Sequence, residues 1–236
     1  MRWTGDCQFL YNQRMPSAIL DANPWFATLP FDVREAMLLG AEPVRLRRSE
    51  MLFRQGDPPG GLYAVLRGSL KVSTLREDGR EAILGVIEPG TWFGEISLID
   101  SLPRTHDATS IGASELLVLP HEAFQGLMER PVFARAVASL LATRLRMMYS
   151  MMEDVTLRST RARVVRRLLL LARGDAAMAN AVRPRVPVSQ EALAMMLGIS
   201  RQTLSKELKL LEQLGAIHIG YRCIELLSEE RLRGAG

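Results

Sequence analysis

Cysteine is almost missing from this chain of 236 residues. Cys7 and Cys223 are the only two, more than two hundred positions apart, and they make no metal-ligand spacing. A zinc site or iron–sulfur cluster held by four cysteines of one chain is excluded by count, and both thiols read as incidental. Histidine is nearly as scarce: His106, His121 and His218 form no H-x-H cluster of the kind metal-binding jelly-roll enzymes use. His106 and Asp107 are neighbours, but adjacent residues on an extended segment point to opposite sides, and no Ser or Cys nucleophile joins them in a motif. No catalytic residue and no metal ligand is assigned. Long apolar runs are absent too. No window reaches the eighteen or so uncharged residues of a membrane helix, and Asp6, Asn12, Gln13 and Arg14 interrupt what would be a signal peptide's apolar stretch. The expectation is a cytoplasmic protein with no membrane partner.

The length fits two domains. A formal charge of +4 conceals an asymmetry: residues 156–236 hold 14 Lys and Arg against 7 Asp and Glu, residues 1–155 hold 16 against 19. A basic C-terminal third of +7 beside −3 is a footprint that phosphate-backbone binding requires, although a solvated positive face gives the same count.

Residues 1–23 show no clear period and read as a tail. Pro24-Trp25-Phe26 and Phe31 to Leu39 read as short helices. Apolar runs then follow at Glu42–Arg47, Met51–Arg54, Leu62–Leu66, Leu70–Leu75, Ala82–Ile87 and Glu115–Leu119. Turn signals such as Gly56-Asp57-Pro58-Pro59-Gly60-Gly61 and Pro89-Gly90 separate them, which predicts an antiparallel jelly-roll barrel. Asp78-Gly79 is the best hairpin candidate. Helix returns at His121–Arg130, then as one long helix from Pro131 to about Val155, whose Val137, Leu141, Met148, Met151 and Val155 share a face. That face is either core of its own domain or a two-fold dimer seam, and the flanking segments favour the seam. Arg158–Arg173 continues helical, and Gly174–Pro187 reads as a linker.

Between barrel and helices lies Trp92-Phe93-Gly94-Glu95-Ile96-Ser97-Leu98, then Pro103-Arg104-Thr105. It offers a Gly where backbone can approach a ligand, a carboxylate for sugar hydroxyls, and a guanidinium fork that matches two phosphate oxygens, with a hydroxyl beside it. Singly, Glu95 and Arg104 could equally be a surface ion pair. The ordered set resembles the phosphate-binding cassette of cyclic-nucleotide-binding domains, F-G-E-[IL]-x-L followed by P-R-[TS]. By that resemblance Gly94 and Glu95 would address a ribose, and Arg104 and Thr105 a cyclic phosphate.

The most specific local motif runs from Val188 to Leu208. Ser189 can cap a helix that turns Leu193, Met196 and Leu197 inward, Gly198 supplies a tight turn, and Ser200 caps a second helix. This punctuation is that of a helix-turn-helix, whose second helix enters the DNA major groove. Leu204, Leu208 and Leu211 face inward, which leaves Ser200, Arg201, Gln202, Ser205 and Lys206 near the helix start, with Lys209 beyond. Arg201 suits bidentate reading of guanine, Gln202 can address adenine, and Lys206 and Lys209 suit bases or phosphates. Ile217-His218-Ile219 and Arg222–Leu226 flank Gly220-Tyr221 as a two-stranded wing whose Tyr221 and Arg222 could touch sugar-phosphate at its tip, although a plain hairpin closing the small core explains them equally well.

Sensor, long helix and helix-turn-helix in this order are similar to the bacterial Crp/Fnr transcription regulators over roughly residues 24–228. The fold class this implies is α+β. An N-terminal antiparallel β jelly-roll barrel of cyclic-nucleotide-binding type comes first, then a long dimerisation helix, then a C-terminal winged helix-turn-helix. The expected divisions are a tail over 1–23, sensor over 24–130, dimerisation and linker helix over 131–157, and DNA-binding domain over 158–236. The resemblance implies a homodimer on double-stranded DNA at a pseudo-palindromic site, RNA polymerase as a further partner, no required cofactor, and a small anionic effector in the barrel. A cyclic nucleotide, cAMP or another, is a candidate for that effector. Where the family's cAMP-reading members carry a Thr-Ser pair on the long helix, this chain has Met148-Tyr149, which cannot make the same hydrogen bonds. After Arg104-Thr105 it has His106-Asp107 in place of small or β-branched residues. Two alternatives stand beside this reading: a ligand-independent DNA-binding regulator with a structural barrel, and a jelly-roll enzyme with an accessory DNA module.

Overall fold

A computed structural model describes residues 14–75, 81–174 and 183–236. The Asp78-Gly79 hairpin candidate and residues 175–182 of the expected linker lie outside them. The described residues fall into two compact units, one within Met1–Leu70 and Ile87–Leu141, the other within Lys71–Val86 and Ala142–Gly236.

In the first unit α1 (Arg14–Asp21), α2 (Pro24–Ala27) and α3 (Phe31–Leu39) precede the strands. The expected tail therefore ends in a helix, with Leu20 fully buried. Pro24 opens α2, where its missing N–H is no loss, and Asn23 Oδ1 accepts from the Phe26 N–H at 3.1 Å. The strands are β1 (Glu42–Leu46), β2 (Met51–Phe53), β3 (Gly61–Arg67), β4 (Leu70–Leu75), β5 (Glu81–Ile87) and β6 (Trp92–Phe93). After helix α4 (Ile96–Asp100) come β7 (Asp107–Ser110) and β8 (Ser114–Pro120). One sheet has the order β1-β8-β3-β6, antiparallel throughout, with Val44 opposite Leu116 and Ala64 opposite Leu117. Elsewhere β2 pairs with β7. Since β1 and β6 are free edges of their sheet, the barrel expected from the strand spacing does not close. β6 and β7 escaped the sequence reading because they are only two and four residues long, too short for a period to show.

Helices α5 (His121–Met128) and α6 (Pro131–Leu157) follow. The core beneath them joins Phe26, Met37, Leu62, Trp92, Leu119, Phe124 and Phe133. Trp92 stacks on Phe26 with ring centroids 5.4 Å apart, and Phe124 meets Phe133 edge-on at 5.6 Å. Val137 of α6 belongs to this core at 1% exposure, and the Trp25 Nε1–H donates to the Ala136 carbonyl at 2.7 Å. The first turns of α6 are thus a core helix of their own domain.

In the second unit β4 and β5 are neighbours joined by Lys71 Nζ to Glu81 Oε1 at 2.6 Å. The later turns of α6 expose an apolar stripe, with Leu145 55% and Met148, Tyr149, Met152 and Val155 each 63% exposed. Leu145, Met148, Met152 and Val155 step by three, four and three, the a/d rhythm of a helix–helix seam. The exposed apolar face therefore differs from the face read off the sequence: Val137 is core, Leu141 and Met151 are half-buried, and the free face begins at Leu145, keeping Met148 and Val155. Beyond α6 stand α7 (Thr160–Ala172), β9 (Arg185–Val186), α8 (Gln190–Leu197), α9 (Arg201–Gln213), β10 (Ile217–Gly220), β11 (Cys223–Leu226) and α10 (Glu229–Gly234). Their core gathers Leu168 from α7, Leu193 and Leu197 from α8, Leu204, Leu208 and Leu211 from α9, and Val186, Ile217 and Ile224 from a sheet of order β10-β11-β9.

Candidate functional site

Arg104 is the most constrained side chain in the expected effector loop. It is 4% exposed. Its Nη1 donates to the Gly94 carbonyl at 2.7 Å and its Nη2 to the Gly61 carbonyl at 2.9 Å. The guanidinium lies 4.5 Å from the centre of the Phe53 ring and 5.6 Å from that of Tyr63, a cation–π arrangement. Its Nε is buried with no acceptor among the described residues. Main-chain bonds fix the loop on both sides, Arg104 N to the Asp57 carbonyl and Gly56 N to the Arg104 carbonyl, each at 2.8 Å. Burial pulls the Arg104 pKa below its ordinary value, opposed by Tyr63, Glu95 and Asp57, and burial raises that of Tyr63 against the pull of Arg104. In this conformation the fork expected to clasp phosphate is held by the chain's own carbonyls.

Gly94 explains how that is possible. It has φ +94°, and a Cβ there would sit 3.0 Å from Arg104 Nη1 and 3.1 Å from the Gly61 carbonyl oxygen. The sequence suggested a glycine for close approach of a ligand; what approaches is Arg104. Glu95 is fully buried ahead of α4. Thr105 is exposed, and its Oγ1 lies 2.6 Å from His106 Nδ1. Asp107 faces elsewhere and accepts from the Gln55 N–H at 2.8 Å. The loop thus brings Gly94, Glu95 and Arg104 together, while Thr105 is engaged by its neighbour. Met148 and Tyr149 are exposed residues of the α6 stripe in the second unit. One cationic feature escaped sequence reading. An open groove of about 1200 Å³ in the first unit is lined by Arg45, Arg47, Arg48 and Arg67, with Glu50 and Glu115 among them; the net charge of −3 over residues 1–155 masks it, and the Arg-Leu-Arg-Arg run is the signal that marks it.

The second unit carries the DNA-reading geometry. Ser189 Oγ accepts from the Ala192 N–H at 3.1 Å and so starts α8. Gly198 ends it at φ +64°, and Ser200 Oγ accepts from the Thr203 N–H at 3.1 Å to start α9. Ser200 also meets the Thr203 hydroxyl at 2.8 Å, so its hydroxyl serves the helix. Arg201, Gln202, Lys206 and Lys209 are exposed on α9, and Ser205 is half-buried. The wing turns at Tyr221-Arg222, one residue later than the sequence indicated, with Gly220 paired to Cys223 and Arg222 at φ +52°. Tyr221 is 89% exposed. A cleft of about 290 Å³ joins Ser189, Gln190, Arg201, Tyr221 and Arg222, which adds Gln190 to the residues singled out before.

Part of the C-terminal basic surplus is engaged by partners within the unit. Arg161 Nε pairs with Glu207 at 2.9 Å, Arg163 Nη2 donates to the Leu197 carbonyl at 2.5 Å, and Arg158 and Arg166 both reach Asp154. Arg167 is 7% exposed. Arg201, Lys206 and Lys209 of α9 and Arg222 of the wing are exposed, as are Arg183, Arg185 and Arg231.

Residues 43–131 match the family described as cyclic nucleotide-binding domain, and residues 162–235 match the Crp-like helix-turn-helix domain. A CRP-like cAMP-activated global transcriptional regulator of Mycobacterium tuberculosis is 31% identical over 193 residues, 81% of this chain and 86% of that protein. The chain belongs to the Crp/Fnr family of transcription regulators. The cyclic AMP receptor protein of Thermus thermophilus is 32% identical over 176 residues, 74% of this chain and 79% of its own. The solved structure of CLP, a c-di-GMP responsive global regulator from Xanthomonas campestris, superposes with a TM-score of 0.68 at 27% identity, covering 84% of this chain and all of that one. As a Crp/Fnr member the chain is a DNA-binding regulator and not an enzyme, which removes the enzymatic alternative.

Proposed function

We propose that the chain works as a homodimer on a pseudo-palindromic DNA site, with affinity for that site set by a small anionic effector at the Arg104 loop. The observation that carries the dimeric part is the exposed Leu145-Met148-Met152-Val155 stripe, since such a face covers itself when it meets its own copy across a two-fold axis. Two recognition helices would then lie about 34 Å apart, one major-groove turn. Arg201 and Gln202 would read base edges, Lys206, Lys209 and Arg222 would hold phosphates, and Ser200 and Ser205 would set the approach of the helix. RNA polymerase is the partner the family membership proposes, and the cytoplasm the location.

For the effector, the buried Nε of Arg104 without an acceptor supports an anion drawn to the loop, beside Gly94, Glu95 and Thr105. Cyclic AMP and cyclic di-GMP, named for two relatives, are the compounds to try first. Met148 and Tyr149 offer a thioether and a phenol, so a purine would be read there by stacking more than by paired hydroxyl bonds. One observation favours a second reading, a regulator that needs no ligand: both Nη atoms of Arg104 already hold main-chain carbonyls. Thermal melts of the full chain across a cyclic-nucleotide panel separate the two. A ligand at 100 times its Kd should add about 2.7 kcal/mol, and Arg104→Ala should abolish that gain. A panel without any shift favours the ligand-free reading.

A further inference from the structure

The joint between α6 and α7 is two residues long, Arg158 and Ser159. A single carboxylate bridges it. Asp154, on the last turn of α6 with its side chain 13% exposed, takes Arg158 Nε on Oδ1 at 2.7 Å and Arg166 Nε on Oδ2 at 2.7 Å. Arg166 stands in the middle of α7, and its Nη2 also donates to Ser150 Oγ, one turn back along α6. Arg166 is therefore fastened to two turns of α6, while its own helix carries Val164, Val165 and Leu168 into the core that supports α8 and α9. On the other side of the joint Ser159 Oγ caps α7 by accepting from the Ala162 N–H at 3.2 Å.

We infer that Asp154 is a positioning residue for DNA reading, fixing the angle at which the winged helix-turn-helix leaves α6 and so the spacing of two recognition helices. Three features converge on it. Both Asp154 oxygens are engaged, one by Arg158 within the joint and one by Arg166 beyond it, so the carboxylate fixes a direction as well as a distance. Hydrogen bonds to charged groups are short and roughly twice as strong as neutral ones. And neutralising Asp154 leaves two guanidinium groups facing one another, a repulsion that opens the angle. The exposed seam residues Met152 and Val155 flank Asp154 on α6, so an angle fixed there is fixed relative to the dimer axis.

The inference rests on the homodimeric reading, and the test keeps the two apart. An operator is first selected from randomised duplexes with the full chain, with and without cAMP or cyclic di-GMP. Affinity is then measured for the full operator, for a single half-site, and for operators with one base pair added to or removed from the spacer. In Asp154→Asn and Arg166→Gln, full-site affinity should fall about fivefold and the preference for one spacing should flatten, while half-site affinity stays within about twofold. The double variant should be no worse than Asp154→Asn, because both changes break one bridge. Arg166→Lys, which keeps the charge, should recover part of the spacing preference. Equal losses on half and full sites, an unchanged spacing preference, or additive losses would each overturn the inference. A wild-type chain that gains nothing from the second half-site overturns the dimeric reading, and the inference with it.

Discussion

Gly94 and Arg104 form one device. The left-handed backbone of Gly94 brings its carbonyl to Arg104 Nη1, and the absence of a Cβ leaves room for the guanidinium. Gly94→Ala should cost about 1–3 kcal/mol, from positive-φ strain and displacement of the arginine, as read from urea unfolding. A second prediction concerns His106. Burial holds its pKa below the ordinary 6.5, against the upward pull of Asp107. The unfolded chain then takes up this proton first as the solution is acidified, so the group's contribution to stability is complete above about pH 6.5 and is lost as pH falls below it. Thermal midpoints measured at about pH 7.5 and 5.5 should differ less in His106→Asn, which keeps a polar group beside Thr105, than in the wild type. At this scale the sequence disclosed which residues matter in the loop but not which way they point. The P-R-T spelling is compatible with an arginine turned out to a phosphate or in to carbonyls, and the deciding acceptor, Gly61 O, lies 43 positions away.

Elements show a sharper division between what was legible and what was not. Ser159, Ser189, Ser200 and Ser228 each cap a helix by accepting from the N–H three residues on. Two of these, Ser189 and Ser200, were readable because a cap is a local feature: residue type and backbone lie within one turn. Ser200→Ala should lower unfolding stability by about 1 kcal/mol, whereas Lys209→Ala, on the exposed face of the same helix, should change it by less than about 0.5 kcal/mol in chemical denaturation. The strands were legible as a series of runs but not as a closed or open arrangement, because closure depends on which edges pair. The long helix was legible as a helix, yet its periodic apolar residues serve two purposes. Val137 packs into the core with Trp25 and Phe124, whereas the stripe from Leu145 onward is exposed. Period alone cannot assign a partner to a face.

For the whole molecule the prediction is about assembly. Replacing Leu145 and Met152 together by Glu should convert a dimer to a monomer in sedimentation velocity, because two such changes place like charges across the seam. The midpoint of thermal unfolding should rise with concentration in the wild type and lose that dependence in the variant. No helix among the described residues is long and apolar enough to cross a membrane, and among them no cluster of three His, Cys, Asp or Glu could hold a metal ion. Charge also has to be judged on the molecule. The surplus of the C-terminal third suggested a DNA footprint by count, but arginines of α7 hold Asp154, Glu207 and the Leu197 carbonyl. Part of that surplus is therefore engaged within the unit, while Arg201, Lys206, Lys209 and Arg222 stay exposed.

Sequence by itself determined the longer helices and strand runs, the caps and turn of the DNA-reading motif, and the spelling of the Gly94–Arg104 loop, since each is written in residues a few positions apart. Only tertiary structure decided that Arg104 rests on Gly61 and Gly94, that the sheet stays open, and that Asp154 ties α6 to α7. Those outcomes join groups from separate elements, and the energy of such a contact depends on burial and direction, which no local stretch of chain specifies.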